Sequence, residues 1–163
     1  MRRNENLREL SRDHHYSLLF GWKIRQGIRN HAGTTVMRQY VSWFADRSLF
    51  PHFEHEEREV LVFLPDGDAA KQQILEDHRA IREKVAEVVS STRPEAVQLE
   101  ELAGLATRLD EHIRLEERRL FPYLERTLTD EQLEQIGEAI RSGHTPFTDT
   151  FEHEFWEKNT ADQ

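Results

Sequence analysis

Apolar residues recur every three or four positions along most of the chain, and turn-forming residues interrupt this pattern at four places. A period near 3.6 residues is typical of amphipathic helices. The interruptions are Asn30 to Gly33, Pro65 to Gly67, Ser90 to Pro94 and the residues just before Thr129. The pattern therefore predicts four long helices, at about 11–29, 35–64, 69–90 and 94–126, and a helical tail at about 129–157.

Capping and breaking residues refine these boundaries. Ser11 is predicted to cap the first helix, and Thr129, followed three positions later by Gln132, is predicted to open the tail. Pro51 lies inside the second helix and should kink it or restart it locally, because proline lacks the backbone N–H that a helix needs. Gly143 and Pro146 should interrupt the tail.

Histidines fall on the apolar faces of the predicted helices. His78 lies on one stripe with Ile74 and Ile81, and His112 lies on another with Leu109. In the first helix, the face that carries Leu18, Leu19 and Trp22 selects His15 as the inward-facing histidine. The adjacent His14 also shares a stripe with Leu18 and remains the alternative. The aromatic residues Trp22, Trp43, Phe44 and Phe121 are expected in the core.

Short links between long helices favour antiparallel neighbours. The predicted fold is therefore all-α: an up-down-up-down four-helix bundle at about 10–126, with an additional C-terminal helical segment. A chain of 163 residues is the size of one domain, so 1–163 is assigned to a single domain. The tail either packs across the bundle or contacts another copy of the chain in a homodimer.

Composition excludes several function classes. The net charge of -9 argues against a nucleic acid or an anionic membrane surface as a partner, since both attract clustered Lys and Arg. The chain has no cysteine, which excludes disulfides, iron–sulfur clusters and thiol nucleophiles. No stretch has the length and apolar character of a membrane span or a signal core, so the cytoplasm is the expected location.

An internal repeat carries the candidate chemistry. The sequence His-x-x-x-Glu-Glu-Arg occurs at 52–58 and again at 112–118, and a further histidine precedes each copy. Residues i and i+4 of a helix share one face, so each copy directs an imidazole and a carboxylate to a common point. The predicted metal ligands are His15, His52, Glu56, His78, His112 and Glu116.

Six such ligands suit two metal ions better than one tetrahedral zinc ion. Imidazole and carboxylate without thiolate suit iron, manganese or zinc. If Glu56 and Glu116 bridge two octahedral ions together with an oxo or hydroxo group, one coordination position stays open on each ion. A small molecule is expected to bind there.

The doubled motif, the preceding Leu10-Ser11-Arg12-Asp13-His14 and the later Leu120-Phe121-Pro122 resemble the hemerythrin-like (HHE cation-binding) domain. The resemblance covers roughly residues 7–126. It implies a non-haem di-iron centre, bridged by Glu56 and Glu116, that binds O2 or related molecules such as NO or peroxide.

The chain departs from the oxygen-carrying members of that family at one position. Those members have a fifth histidine one turn after the third-helix ligand, where this chain has Arg82. His14, His55 or a nearby glutamate is a substitute, or the site is more open. This difference favours sensing, redox chemistry or iron handling over oxygen carriage. A di-iron oxidase, peroxidase or repair enzyme is the second hypothesis, and a metal-free helical interaction module is the third.

Overall fold

The computed structural model describes residues 3–158, in which the regular secondary structure is helical throughout. A short 3-10 turn, Glu5–Leu7, precedes the first helix. The five helices are α1 (Arg8–Arg29), α2 (34–63), α3 (Ala69–Ser90), α4 (95–127) and α5 (Asp130–Gly143). The prediction of an all-α bundle is confirmed, and the up-down order of its helices stays a prediction. None of these helices is long and apolar enough to cross a bilayer.

Two apolar clusters fill the interior. One is built mainly from α1, α2, α3 and α4 around residues such as Phe20, Phe44 and Leu105, and the other lies toward the opposite end around Leu7, Leu61 and Ile136. Each long helix has a buried polar residue between members of the two clusters: His14, Glu56, His78 and Glu116. The bundle therefore surrounds a central polar layer with apolar side chains on both sides.

Wide π-helical turns let α2 and α4 continue through their prolines. One π turn, Ala45–Leu49, comes just before Phe50-Pro51, and another, Glu116–Leu120, comes just before Phe121-Pro122. A proline ring clashes with the carbonyl four residues earlier and cannot bond to it, and an extra residue in the preceding turn relieves the clash. Pro51 therefore follows a local change in helix type, and α2 does not end there.

The predicted start of α1 is wrong by about one turn. The helix begins at Arg8, so Ser11 lies inside it and is not its N-cap. The Ser11 hydroxyl instead donates to Oε1 of Glu117, at 2.7 Å. A serine before an apolar stretch is a common capping signal, but a hydroxyl one turn into a helix can equally serve a neighbouring helix.

The predicted buried face of α1 is also wrong. Leu18 is 39% exposed and Trp22 is 46% exposed, so Trp22 is not a core residue. The face that packs inward is formed by side chains at helical spacing, several of them polar or small: Leu10, Asp13, His14, Ser17, Phe20, Gly21, Lys23, Ile24 and Gly27. The more apolar face of α1 was predicted to be the buried one, but that face is exposed.

The C-terminal segment (144–158) is not helical, which corrects the prediction of a helix to about 157. Helix α5 begins as predicted, with a reciprocal capping box between Thr129 and Gln132, and it ends at Gly143. The segment then runs back along the bundle. Its aromatic side chains pack against the first apolar cluster through Phe147, Phe151, Phe155 and Trp156.

Replacing Thr129 with alanine should lower the free energy of unfolding by about 1 kcal/mol, because the hydroxyl accepts from the backbone N–H of Gln132. Urea denaturation of the two proteins measures this difference. Thr150→Ala is the control, since Thr150 is exposed and lies outside the helices. Equal losses in both variants would show that the capping box contributes nothing.

Candidate metal centre

Four imidazoles and two carboxylates meet in the central polar layer. They form two overlapping groups, each with its potential ligand atoms within 4.8 Å of one another. The first half-site holds His14 and His52, the second holds His78 and His112, and both share Glu56 and Glu116. All six side chains are at most 2% exposed. The two glutamates therefore stand between two pairs of histidines.

In the first half-site, α1 supplies His14 and α2 supplies His52. The Nε2 of His14 lies 3.0 Å from Oε2 of Glu116 and 3.8 Å from Oε1 of Glu56. The Nε2 of His52 lies 3.3 Å from that same Oε1 of Glu56, one helical turn away. The two Nε2 atoms are 3.1 Å apart. Both imidazoles thus direct the same nitrogen to one point.

The second half-site repeats this arrangement with α3 and α4. The Nε2 of His78 lies 3.2 Å from Oε2 of Glu56 and 3.6 Å from Oε1 of Glu116. The Nε2 of His112 lies 3.1 Å from Oε1 of Glu116. Each glutamate therefore lies near histidines of both half-sites and is shared by the two groups of potential ligand atoms.

The outward-facing nitrogen of each histidine meets a carboxylate. The Nδ1–H of His14 donates to Glu117 (2.7 Å), and that of His78 donates to Glu57 (2.8 Å). A carboxylate only accepts hydrogen bonds, so Nδ1 must carry the proton. In a neutral imidazole, Nε2 then presents a lone pair to the centre.

Two aspartates complete this outer layer. The Nδ1–H of His52 donates to Asp13 at 3.1 Å, and Nδ1 of His112 lies 3.5 Å from Asp77. Each aspartate immediately precedes a histidine of its own half-site in sequence. All four imidazoles are therefore oriented by carboxylates behind them, which is the usual arrangement for histidines that bind metals.

The charges at the centre shift the pKa values strongly. Burial lowers the pKa of His78, but the nearby carboxylates of Glu116, Glu56 and Glu57 outweigh burial and raise the pKa to about 11. Burial is likewise outweighed at His52, mainly by the charge of Glu56, and its pKa rises to about 9. The imidazoles of His52 and His78 therefore favour the protonated, positively charged form.

The carboxylates respond in the opposite direction. Burial raises the pKa of Glu56, but the charge of His52 and the other imidazoles close to its carboxylate outweigh burial and leave the pKa well below its usual range. Both glutamates therefore favour the charged form despite complete burial. A buried anion needs a cation beside it, and here that cation is either a proton on each imidazole or a metal ion.

The donor atoms fit a bound metal. Within the described part of the chain, buried polar atoms without a hydrogen-bond partner include both carboxylate oxygens of Glu56 and Glu116 and the Nε2 atoms of His78 and His112. Unpartnered buried polar atoms are costly, and a shared cation would satisfy all of them together. Imidazole nitrogen and carboxylate oxygen are ligands for iron, manganese and zinc.

Five of the six predicted residues lie in this cluster, and His15 does not. His15 is exposed on the outer side of α1, whereas His14 is buried in the first half-site. Successive helical residues point about 100° apart, so only one of two neighbours faces the interior. The prediction chose the wrong one because Leu18 and Trp22 indicated the wrong face of the helix.

The four outer carboxylates were missed in the sequence. None of Glu57, Glu117, Asp13 and Asp77 was predicted to have a role at the metal centre. A signal existed for all of them. The second Glu of each repeat is as regular as the first, and Asp-His occurs at both 13–14 and 77–78. That second repeat would also have selected His14.

Arg82 does not enter the cluster. Its guanidinium donates to Oε1 of Glu57 at 2.8 Å and lies over the ring of Phe53, 5.3 Å from its centroid. Glu57 in turn orients His78. Where the oxygen-carrying members of the family have a fifth histidine, this chain therefore has an arginine that holds the outer carboxylate of Glu57.

The comparison with protein families agrees with this geometry. The model of the hemerythrin HHE cation-binding domain matches residues 6–124, which include all six clustered residues and exclude the C-terminal segment. Comparisons with curated proteins and with solved structures gave no significant match. The family match covers well over half of the sequence. The chain therefore belongs to the hemerythrin HHE cation-binding domain family.

Proposed function

We propose that this protein holds two iron ions in the central cluster and uses them to bind or sense O2 or a related small molecule such as NO or peroxide. Glu56 and Glu116 would bridge the two ions. The remaining ligands would be the paired histidines, with His14 in place of the predicted His15: His14, His52, His78 and His112.

The observation that carries this proposal is the set of buried donor atoms with no other partner. Both oxygens of Glu56 and Glu116 are buried and unbonded, and the surrounding imidazoles turn Nε2 toward them. The outer carboxylates already occupy Nδ1 of His14, His52 and His78. A purely structural polar network would satisfy these atoms with one another or with the backbone.

Iron is favoured over manganese and zinc for two reasons. The ligand set is too large and too rich in bridging carboxylate for tetrahedral zinc. Bundles that place carboxylates and histidines on facing helices are typical of di-iron and di-manganese proteins, and the family resemblance selects iron between these two. When bound, such an iron pair supplies electrons and a coordination position for a diatomic ligand.

The chain supplies a dry, rigid surrounding for that chemistry. Phe53 stacks on the imidazole of His78 with ring centroids 3.9 Å apart, and Phe121 stacks on His14 at 5.2 Å. Both phenyl rings are buried. They restrict rotation of the imidazoles and keep water away from Glu56 and Glu116, which strengthens electrostatic interactions inside the cluster.

A cavity lies beside His52 at the edge of the cluster. It has a volume of about 190 Å³, and its lining includes His52, Asp13 and Ser48. Sites for drug-sized ligands usually occupy roughly 300–1,000 Å³. This cavity is smaller than that range, and His52 is the one residue of the cluster that lines it.

Anaerobic loading with ferrous iron followed by exposure to air tests the proposal. Metal analysis should give about two iron ions per chain, as in other carboxylate-bridged bundles. The absorption spectrum should develop a ligand-to-metal charge-transfer band on oxidation. Less than about one ion per chain with no such band would remove the hypothesis.

Paired alanine variants of the adjacent histidines give a sharper test of the ligand set. His14→Ala should lose about one of the two ions and melt at a lower temperature, because a missing ligand removes binding free energy from the folded state. His15→Ala is the matched control, since His15 is exposed. Metal loss from His15→Ala with retention by His14→Ala would contradict the assignment.

A further inference from the structure

The two half-sites differ in the groups that hold their aspartates. In the second half-site, Asp77 accepts from Arg108 at 2.9 Å and from Gln73 at 3.1 Å, both on the helices of the bundle itself. In the first half-site, both oxygens of Asp13 lie 2.9 Å from Nε2 of His144. His144 belongs to the C-terminal segment, outside the family match.

The end of α5 places His144 against the first half-site. Its backbone N–H donates to the carbonyl of Ile140 at 2.7 Å, which fixes the residue directly after the helix. Gly143 lies against His55, and a Cβ there would approach the His55 ring to 3.3 Å. The small residue thus permits the close approach. The His144 side chain is only 9% exposed.

The remainder of the C-terminal segment is anchored to α1 and α2. Lys23, which is buried, pairs with Asp149, and Tyr40 donates its hydroxyl proton to Asp149 at 3.0 Å. The Lys23 ammonium also lies over the Trp156 ring, 3.7 Å from its centroid. Asn30 donates to the carbonyl of Trp156 at 3.0 Å. These contacts hold the segment in place independently of the cluster.

We propose that His144 is a positioning residue for the first half-site: it fixes Asp13, which in turn orients His52 toward the metal. The C-terminal segment thereby controls how firmly one of the two ions is held. This inference rests on the proposed metal centre and concerns only one half of it.

The chain of contacts gives the physical reason. The Nε2–H of His144 donates to Asp13, and the same carboxylate accepts from Nδ1–H of His52. Without His144, Asp13 has one partner fewer and can rotate toward the cavity that both residues line. His52 would then lose the acceptor that keeps Nε2 directed at Glu56. Outer partners of metal-binding histidines commonly change affinity by about 10–100-fold.

Release of iron from the loaded, full-length protein to an excess of chelator tests the proposal. His144→Ala should release one of the two ions about tenfold faster than the unaltered protein, and the second ion at an unchanged rate. His144→Gln, whose side-chain amide can still donate to Asp13, should restore most of the slow release. His153→Ala is the matched control, because it removes an exposed imidazole from the same segment.

Two outcomes would overturn the inference while leaving the metal centre intact. One is release of both ions at the original rates from His144→Ala. The other is equal acceleration of both ions, which would indicate general loosening of the bundle. A protein that takes up no metal in the first place would instead refute the proposed function.

The metal-free protein provides a separate readout of the same contact. In imidazole nitrogen NMR spectra recorded at a pH above 9, where the His52 imidazole is neutral, His52 should favour the tautomer protonated at Nδ1, because Asp13 accepts that proton. His144→Ala should shift His52 toward the other tautomer, and His112 should not change. An unchanged His52 signal would count against positioning by His144, whatever the protein does with iron.

Discussion

The burial of Glu56 and Glu116 beside one another is the constraint on which the rest of this structure depends. Two carboxylates in a dry interior repel each other, and each costs several kcal/mol to remove from water unless positive charge compensates it. Four imidazoles from four helices surround the pair, so the helices must approach the same central point. The apolar clusters on either side keep water out and increase the need for a cation.

The outer carboxylates connect this centre to the packing of the bundle. Each links one helix to another: Glu117 on α4 orients His14 on α1, and Glu57 on α2 orients His78 on α3. The two half-sites correspond residue by residue up to this layer. They diverge only beyond it, where bundle residues hold Asp77 and the C-terminal segment holds Asp13. The extension of the chain past the family domain therefore acts on one side of a nearly symmetric centre.

Prediction succeeded where local pattern and burial agree. The stripes that contain His78 and His112 are apolar on both sides of the histidine, and both residues are buried. Prediction failed on α1, whose inward face carries polar and small residues because it serves the cluster and the ion pair of Lys23. It also failed after Gly143, where Phe147, Phe151 and Phe155 recur every four residues, as in a helix, but pack against the bundle from a non-helical segment.

By itself, the sequence determined the helices, most of their limits, the absence of thiolate chemistry and four cluster residues from the repeated motif. Those features are local, because a spacing of four residues places two side chains on one face whatever surrounds the helix. The repeated Asp-His pointed to His14, but only the tertiary structure placed His14 in the cluster, gave the outer carboxylates their roles and brought His144 to Asp13. Each of these depends on how a helix is rotated against its neighbours, and that rotation is set by long-range packing.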